Sequence, residues 1–349
     1  MIVCRSRDDL AVALAKVRAA GRAVGLVPTM GYLHAGHAAL IARARRDGTA
    51  AVVSVFVNPL QFAPGEDFER YPRDEAHDLA LAAGAGAEVV YLPPLDDILP
   101  DRPRTSVTVP SLMGTMCALR RPDHFPGVAL IVLRLLGICR PDRAYFGEKD
   151  AQQLALVRQV VGDLAVPVKI VGVATVREPD GLALSSRNAY LSPAERRHAL
   201  ALSRALAAGR AAIDAGGRDP VAVRGRVLAV LSAPGVEPEY AEVADPDRLA
   251  TPPRLLGRTL IAVAARVGTT RLIDNVRLWV PAGGAALPLV DDPATAPERA
   301  AQAQVRARAL DALARRPRQT SAAAAAILAA VRGAPSLDPA TLTALLAAL

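Results

Sequence analysis

The stretch AVGLVPTMGYLHAGHAALIARARR, residues 23–46, decides the reading of the fold. AVGLV (23–27) is a short apolar run closed by Pro28 and Gly31, which suits a buried strand. AALIARARR (38–46) mixes apolar and basic residues at helical spacing. Between them stand His34 and His37, three apart, with Gly36 between. A strand that turns through glycine straight into a helix is the opening unit of a parallel α/β sheet.

The same alternation continues outward. Residues 8–20 read as an amphipathic helix, AVVSVFV (51–57) as a second strand, residues 74–84 as a helix and AEVVYL (87–92) as a third strand. A buried helix follows over 127–139, then a strand at RAYF (143–146), a helix over 150–161 and a strand at VPVKIVGVATV (166–176). This predicts a doubly wound parallel sheet over residues 1–176. The pattern then changes to helices near 193–215 and 219–232 followed by strands near 239–244 and 259–265, a smaller α+β unit over 177–280. From Pro281 the composition is that of a linker, and 298–349 is an Ala- and Arg-rich tail with short helices, one starting at Asp338–Pro339.

Composition narrows the function. The chain is 52% hydrophobic and 22% charged, within the range of globular proteins. Its net charge of +8 would suit nucleic acid, yet the arginines are scattered and only 3% of residues are aromatic. The stacking platforms of nucleic-acid binders are therefore missing, and anionic small molecules account for the charge equally well. Cys4, Cys117 and Cys139 have no paired spacing, so neither a disulfide framework nor a zinc knuckle is expected. MIVCRSRDDL lacks a signal-peptide core, and the apolar run 127–139 is too short to span a bilayer. A cytoplasmic protein without membrane partners is expected.

Polar clusters fall where the predicted strands end, the edge at which open α/β sheets bind ligands. His34 and His37 share a helix face, and a helix start favours anions. The pair reads as an anion cradle, as metal ligands or as packing residues; no third histidine or nearby carboxylate supports the metal. Asn58 and Gln61 in VNPLQF offer carboxamides for a small polar substrate, although a capped turn would look the same. In AYFGEKDAQQL (144–154), Lys149 is one of only three lysines, and a compact ammonium at a strand–helix junction suits phosphate. Asp150 is placed either to cap that helix or to bind ribose. Ser185, Ser186 and Arg187 supply hydroxyls and a guanidinium fork, a phosphate grip or another capped turn.

Together, PTMGYLHAGH, FVNPLQF, YPRD, HFPGV, PDRAYFGEKDAQQL, TVREPDGLALSSRNAYLS and GTTRLIDN resemble the pantothenate synthetase (pantoate–β-alanine ligase) family in order and spacing, over about residues 1–278. The resemblance implies a Rossmann-like nucleotidyltransferase domain of the His-x-Gly-His type with a smaller C-terminal lid. It implies a homodimer that uses ATP and Mg²⁺ to join pantoate to β-alanine through a pantoyl adenylate. By motif, His34, His37, Lys149, Ser185, Ser186 and Arg187 would contact ATP phosphates. Met30, Gly36, Gly147, Asp150, Val176 and Leu184 would line the rest of the nucleotide site. Gln61 and Gln153 would hold pantoate, Pro28, Met30, Ile131 and Val132 would surround its methyl groups, and Asn58 and Tyr71 would lie toward the pantoate and β-alanine end. Asp78 would be the metal ligand. Departures at Ala129–Leu130, Pro126, His77, Ala174 and Leu184 leave a related ligase with another acid or amine, or a non-catalytic nucleotide-binding scaffold, as the alternatives.

Overall fold

The computed structural model describes residues 1–99, 103–282 and 285–289. Six strands, β1 (Ile2–Cys4), β2 (Val24–Thr29), β3 (Ala50–Val55), β4 (Val89–Tyr91), β5 (Arg143–Gly147) and β6 (Lys169–Val173), form one sheet in the order β1-β4-β3-β2-β5-β6. Every pairing in it is parallel. Neighbouring residues along a strand face opposite sides. Leu26 and Val52 thus enter one core with Leu14, Leu136 and Leu156, while Val27 and Val53 enter another with Ile41, Val90 and Tyr145. Two buried faces explain the unbroken apolar runs in the sequence. Truncating a fully buried side chain such as Leu26 to alanine would cost about 2–5 kcal/mol.

The covering helices are α1 (Arg7–Ala19), α2 (Ala35–Arg46), α3 (Glu75–Ala85), α4 (Leu95–Ile98), α5 (Pro110–Met113), α6 (Met116–Arg120), α7 (His124–Cys139) and α8 (Ala151–Asp163). Helix α7 begins at His124 rather than near 127. Pro126 falls in its first turn, where a missing N–H leaves no helical bond unmade.

The second unit packs α9 (Pro193–Asp214) and α10 (Pro220–Leu231) on an antiparallel sheet of β7 (Glu237–Ala244), β8 (Gly257–Val267), β9 (Thr270–Val280) and β10 (Leu287–Pro288), ordered β10-β9-β8-β7. Ser192 and Glu195 start α9 with a reciprocal capping box. Leu202, Leu206, Val227, Ile261 and Leu278 form this unit's own core. Ala244, Leu249, Leu260 and Ala262 instead join the core of the parallel sheet, so the two units share an apolar contact.

The second unit differs from the sequence reading in two places. Strand β9 was not expected, because Asp274, Asn275 and Arg277 interrupt its apolar alternation. The linker does not begin at Pro281: Leu287 and Pro288 pair with Trp279 and Leu278, and Ala286 and Leu289 are buried. The tail at 298–349, including the helix start at Asp338–Pro339, lies outside the described residues.

From β2 the chain moves through β3 to one side of the sheet, and from β5 through β6 to the other. The loops that leave β2 and β5 therefore diverge, opening a crevice at the carboxyl ends of these neighbouring strands.

Candidate active site

A cavity of about 660 Å³ fills this crevice and extends beneath the small sheet. That volume suits a nucleotide-sized or drug-sized ligand.

At the end of β2, Thr29 Oγ1 donates to Ser54 O (2.8 Å) and accepts from Gly31 N (3.2 Å). Gly31 and Tyr32 both take left-handed backbone, with φ of 84° and 49°. The amides beyond this turn meet one carboxylate: Tyr32 N and Leu33 N donate to Asp78 at 3.0 and 2.6 Å. Asp78 is buried and does not line the cavity. Both its oxygens hold the turn that leads into α2.

His34 is the N-cap of α2. Its Nδ1 accepts from Gly36 N, and its own backbone N–H donates to Nδ1 of His37, both at 3.1 Å. Two imidazoles thus play the parts that serine and glutamate take in an ordinary capping box. A ring nitrogen that accepts from an amide carries no proton, so in each neutral ring the proton sits on Nε2. Burial, aided by the Lys149 charge, pushes His34 down to about 4 and His37 down to about 3. Both are neutral N–H donors at neutral pH. Gly36 is required by contact: a Cβ there would lie 2.8 Å from His34 Cε1.

Opposite stands Lys149 in the β5–α8 turn, with no ion-pair partner among the described residues. Asp150 is exposed and makes no capping hydrogen bond to α8, which leaves its carboxylate facing the cavity. Ser185 does cap a short 3-10 turn through Arg187 N (3.3 Å), so the capped-turn reading holds beside the cavity position. Arg187 is gripped by Asp67 through two bonds of 3.0 Å. Tyr71 OH lies 3.3 Å from Ser186 Oγ.

The carboxamide end is equally fixed. Asn58 Nδ2 donates to Gln61 Oε1 (3.1 Å) and to Gly127 O (3.2 Å), while Gln61 Nε2 donates to Met30 Sδ (2.8 Å). Pro28, Ile131, Val132, Val176 and Leu184 supply apolar wall, with Gly36, Gly147 and Gln153 between the polar groups. Every residue expected at the site lines this one cavity except Asp78.

Several participants escaped the sequence reading. His124 Nδ1 donates to Gln61 O at 2.8 Å, and Arg121 Nη2 reaches the same carbonyl at 3.0 Å. Burial, then the Arg121 charge, pushes His124 down to about 4. Arg121 is also paired with Glu66 at 2.5 Å. The HFPGV motif contained His124, but nothing local announced its carbonyl partner. Asp274, Asn275 and Arg277 on β9 were likewise not singled out.

Magnesium is poorly matched by these side chains. Among the described residues no three His, Cys, Asp or Glu side chains form a metal cluster. Glu66, Asp67 and Asp274, which line the cavity, are each committed to an arginine. Asp150 is left, among the described residues, as the cavity-lining carboxylate without an arginine, and one such group does not build a protein cage for Mg²⁺.

A parallel sheet with a His-x-Gly-His helix cap at its switch point and a facing lysine defines an α/β protein of the nucleotide-site class. The pantoate-beta-alanine ligase family profile matches residues 2–277, and the chain belongs to that family. It is 47% identical to the pantothenate synthetase of Moorella thermoacetica over 268 residues, 76% of this chain and 95% of the relative. The crystal structure of pantothenate synthetase from Thermus thermophilus matches with a TM-score of 0.73 at 45% identity, covering 79% of this chain and 99% of that one. The Francisella tularensis pantoate-beta-alanine ligase, complexed with beta-gamma ATP and beta-alanine, matches with a TM-score of 0.64 at 29% identity, covering 79% and 97%.

Proposed function

We propose that this chain condenses pantoate with β-alanine at the expense of ATP, through a pantoyl adenylate, releasing AMP and pyrophosphate. The observation that carries the reading is the pair of neutral imidazoles, each with its Nε2–H turned away from the backbone that fixes it, beside Lys149 in one cavity.

A substrate carboxylate is already ionised at neutral pH, so attack on the α-phosphate needs no general base. It needs alignment and stabilisation of the charge that builds on the phosphoryl oxygens. His34 and His37 supply fixed donors, Lys149 a mobile point charge, and Ser185, Ser186 and Arg187 further donors on the opposite loop. Arg187 exchanges its bond to Asp67 for one to phosphate. Gln61, held on three sides, receives the acid's hydroxyl or carboxylate with Gln153, and Ile131 and Val132 pack its apolar part. For the second step the walls exclude water from the adenylate while the amine attacks. Gly147, Asp150, Val176 and Leu184 accommodate the nucleoside.

Mg²⁺ would be supplied bound to the ATP phosphates, whose oxygens suit a hard cation, rather than held by these side chains. Among the described residues no helix is long and apolar enough to cross a membrane. A homodimer and a cytoplasmic location belong to the same reading, and sedimentation and cell fractionation test them. The reaction is tested by incubating the protein with ATP, Mg²⁺, pantoate and β-alanine. Equal yields of pantothenate and AMP are expected, and folded protein that forms neither contradicts the proposal.

A further inference from the structure

Two loops bring cationic and hydroxyl groups to the side of the cavity assigned to phosphate. One is the β5–α8 turn with Lys149, and the other is residues 176–188 with Ser185, Ser186 and Arg187. Both are tied to consecutive residues of β9.

Asn275 Nδ2 donates one hydrogen bond to Glu148 O (2.9 Å) and one to Lys149 O (2.7 Å), using both its protons on the carbonyls of that turn. Two residues on, and so on the same strand face, Arg277 Nη1 meets the buried Glu148 carboxylate at 2.5 Å. Asp274 points to the other loop. It takes Arg177 in a bidentate pair at 2.7 and 2.9 Å, and Arg177 also donates to Gly181 O (3.0 Å) and Asn275 O (3.2 Å). The two halves are joined, since Asp274 Oδ1 accepts from Asn275 N at 2.7 Å.

Asp and Asn are poor residues for the interior of a long strand, and burying them is costly unless their polar atoms are bonded. Here Asp274 and Asn275 are 3% and 5% exposed, and each is committed to one of the two loops. Sheet pairing does not require this: β8 pairs with the same stretch using Val263 and Ala262.

We propose that Asp274 and Asn275 are positioning residues that brace the Lys149 turn against the Ser185–Arg187 loop, so that the small sheet sets the separation of the groups that grip phosphate. Neither side chain acts on the substrate. Asn275 works through Lys149, and Asp274 through the loop that Arg177 begins. The inference rests on the proposed reaction for the identity of the phosphate ligand.

Asn275→Asp tests it, because the variant keeps the shape but aims an acceptor at two carbonyls. The readouts are pantoate-dependent ATP–pyrophosphate exchange and thermal unfolding of the full chain, in wild type, Asn275→Asp, Lys149→Ala and the double variant. Asn275→Asp should lower the exchange kcat by at least about 10-fold. The double variant should be no worse than Lys149→Ala by more than about 2-fold, because residues acting as one unit are not additive. Independent, multiplying losses, or wild-type exchange in folded Asn275→Asp, overturn the proposal. If Asn275→Asp fails to fold, Asn275→Ser, which keeps one donor, carries the same cycle. Wild-type protein without exchange would contradict the reaction but not the brace. Calorimetric titration with ATP would then decide: Asn275→Asp should bind at least about 5-fold more weakly, and equal affinity overturns the brace.

Discussion

The backbone N–H of His34 donates to Nδ1 of His37 at 3.1 Å, and this one bond orients both the helix start and the imidazole proton. With His34 Nδ1 occupied by Gly36 N, both Nε2–H groups are presented as a pair. Gly36→Ala would drive a Cβ to 2.8 Å from the His34 ring and break this arrangement. We expect kcat/KM to fall by at least about 10-fold with little change in helical circular dichroism, because a misplacement of about 1 Å is costly in a preorganised site. Wild-type turnover in Gly36→Ala would show that the ring position is not needed.

The two imidazoles also set a pH dependence. Their folded values of about 4 and about 3 lie below the roughly 6.5 of an unfolded histidine. Below about 6.5 the unfolded chain binds protons that the fold excludes, so stability is full above that pH and falls as pH drops toward 4 and 3. Chemical denaturation at pH 7.5, 6 and 5 should show a decline that is smaller in the His34→Gln, His37→Gln double variant. Equal declines would mean that these rings are not held neutral. Turnover, for the same reason, should show no acid limb from these histidines between pH 6 and 8.

Lys149 faces the histidines without an ion-pair partner among the described residues. If its charge acts mainly on the transition state, Lys149→Ala should lower kcat by at least about 10²-fold. Steady-state kinetics with ATP varied separate the roles, and a change confined to KM would contradict that assignment.

Strand β10 moves the edge of the folded unit past Pro281. A chain ending at Leu289 should keep its thermal midpoint and turnover within a few-fold. One ending at Val280 removes the pairing of Leu287 with Trp279 and the burial of Ala286, and should melt several degrees lower. Identical midpoints would show that β10 contributes nothing.

The parts of the fold that were legible in sequence are those with local causes. AVGLV followed by Gly31 and a basic-faced helix could form little else, and the fully buried strands were long enough to stand out. Strand β9 was hidden because its buried polar residues are matched by loops more than ninety positions away, such as Arg177 with Asp274. The place of Asp78 was hidden for a related reason, since sequence reveals a carboxylate but not the Tyr32 and Leu33 amides that meet it. The pairing of Arg187 with Asp67 and the bond from His124 to Gln61 O are equally non-local. The residues expected at the site line one cavity because most of them follow a predicted strand, and the sheet order brings those ends together.

Pantoate-dependent exchange of labelled pyrophosphate into ATP reads adenylate formation without the amine. Across a panel of small hydroxy acids, the account predicts rapid exchange with pantoate and at least about 100-fold less kcat/KM with each of the others. No exchange with pantoate, or faster exchange with a different acid, would contradict it.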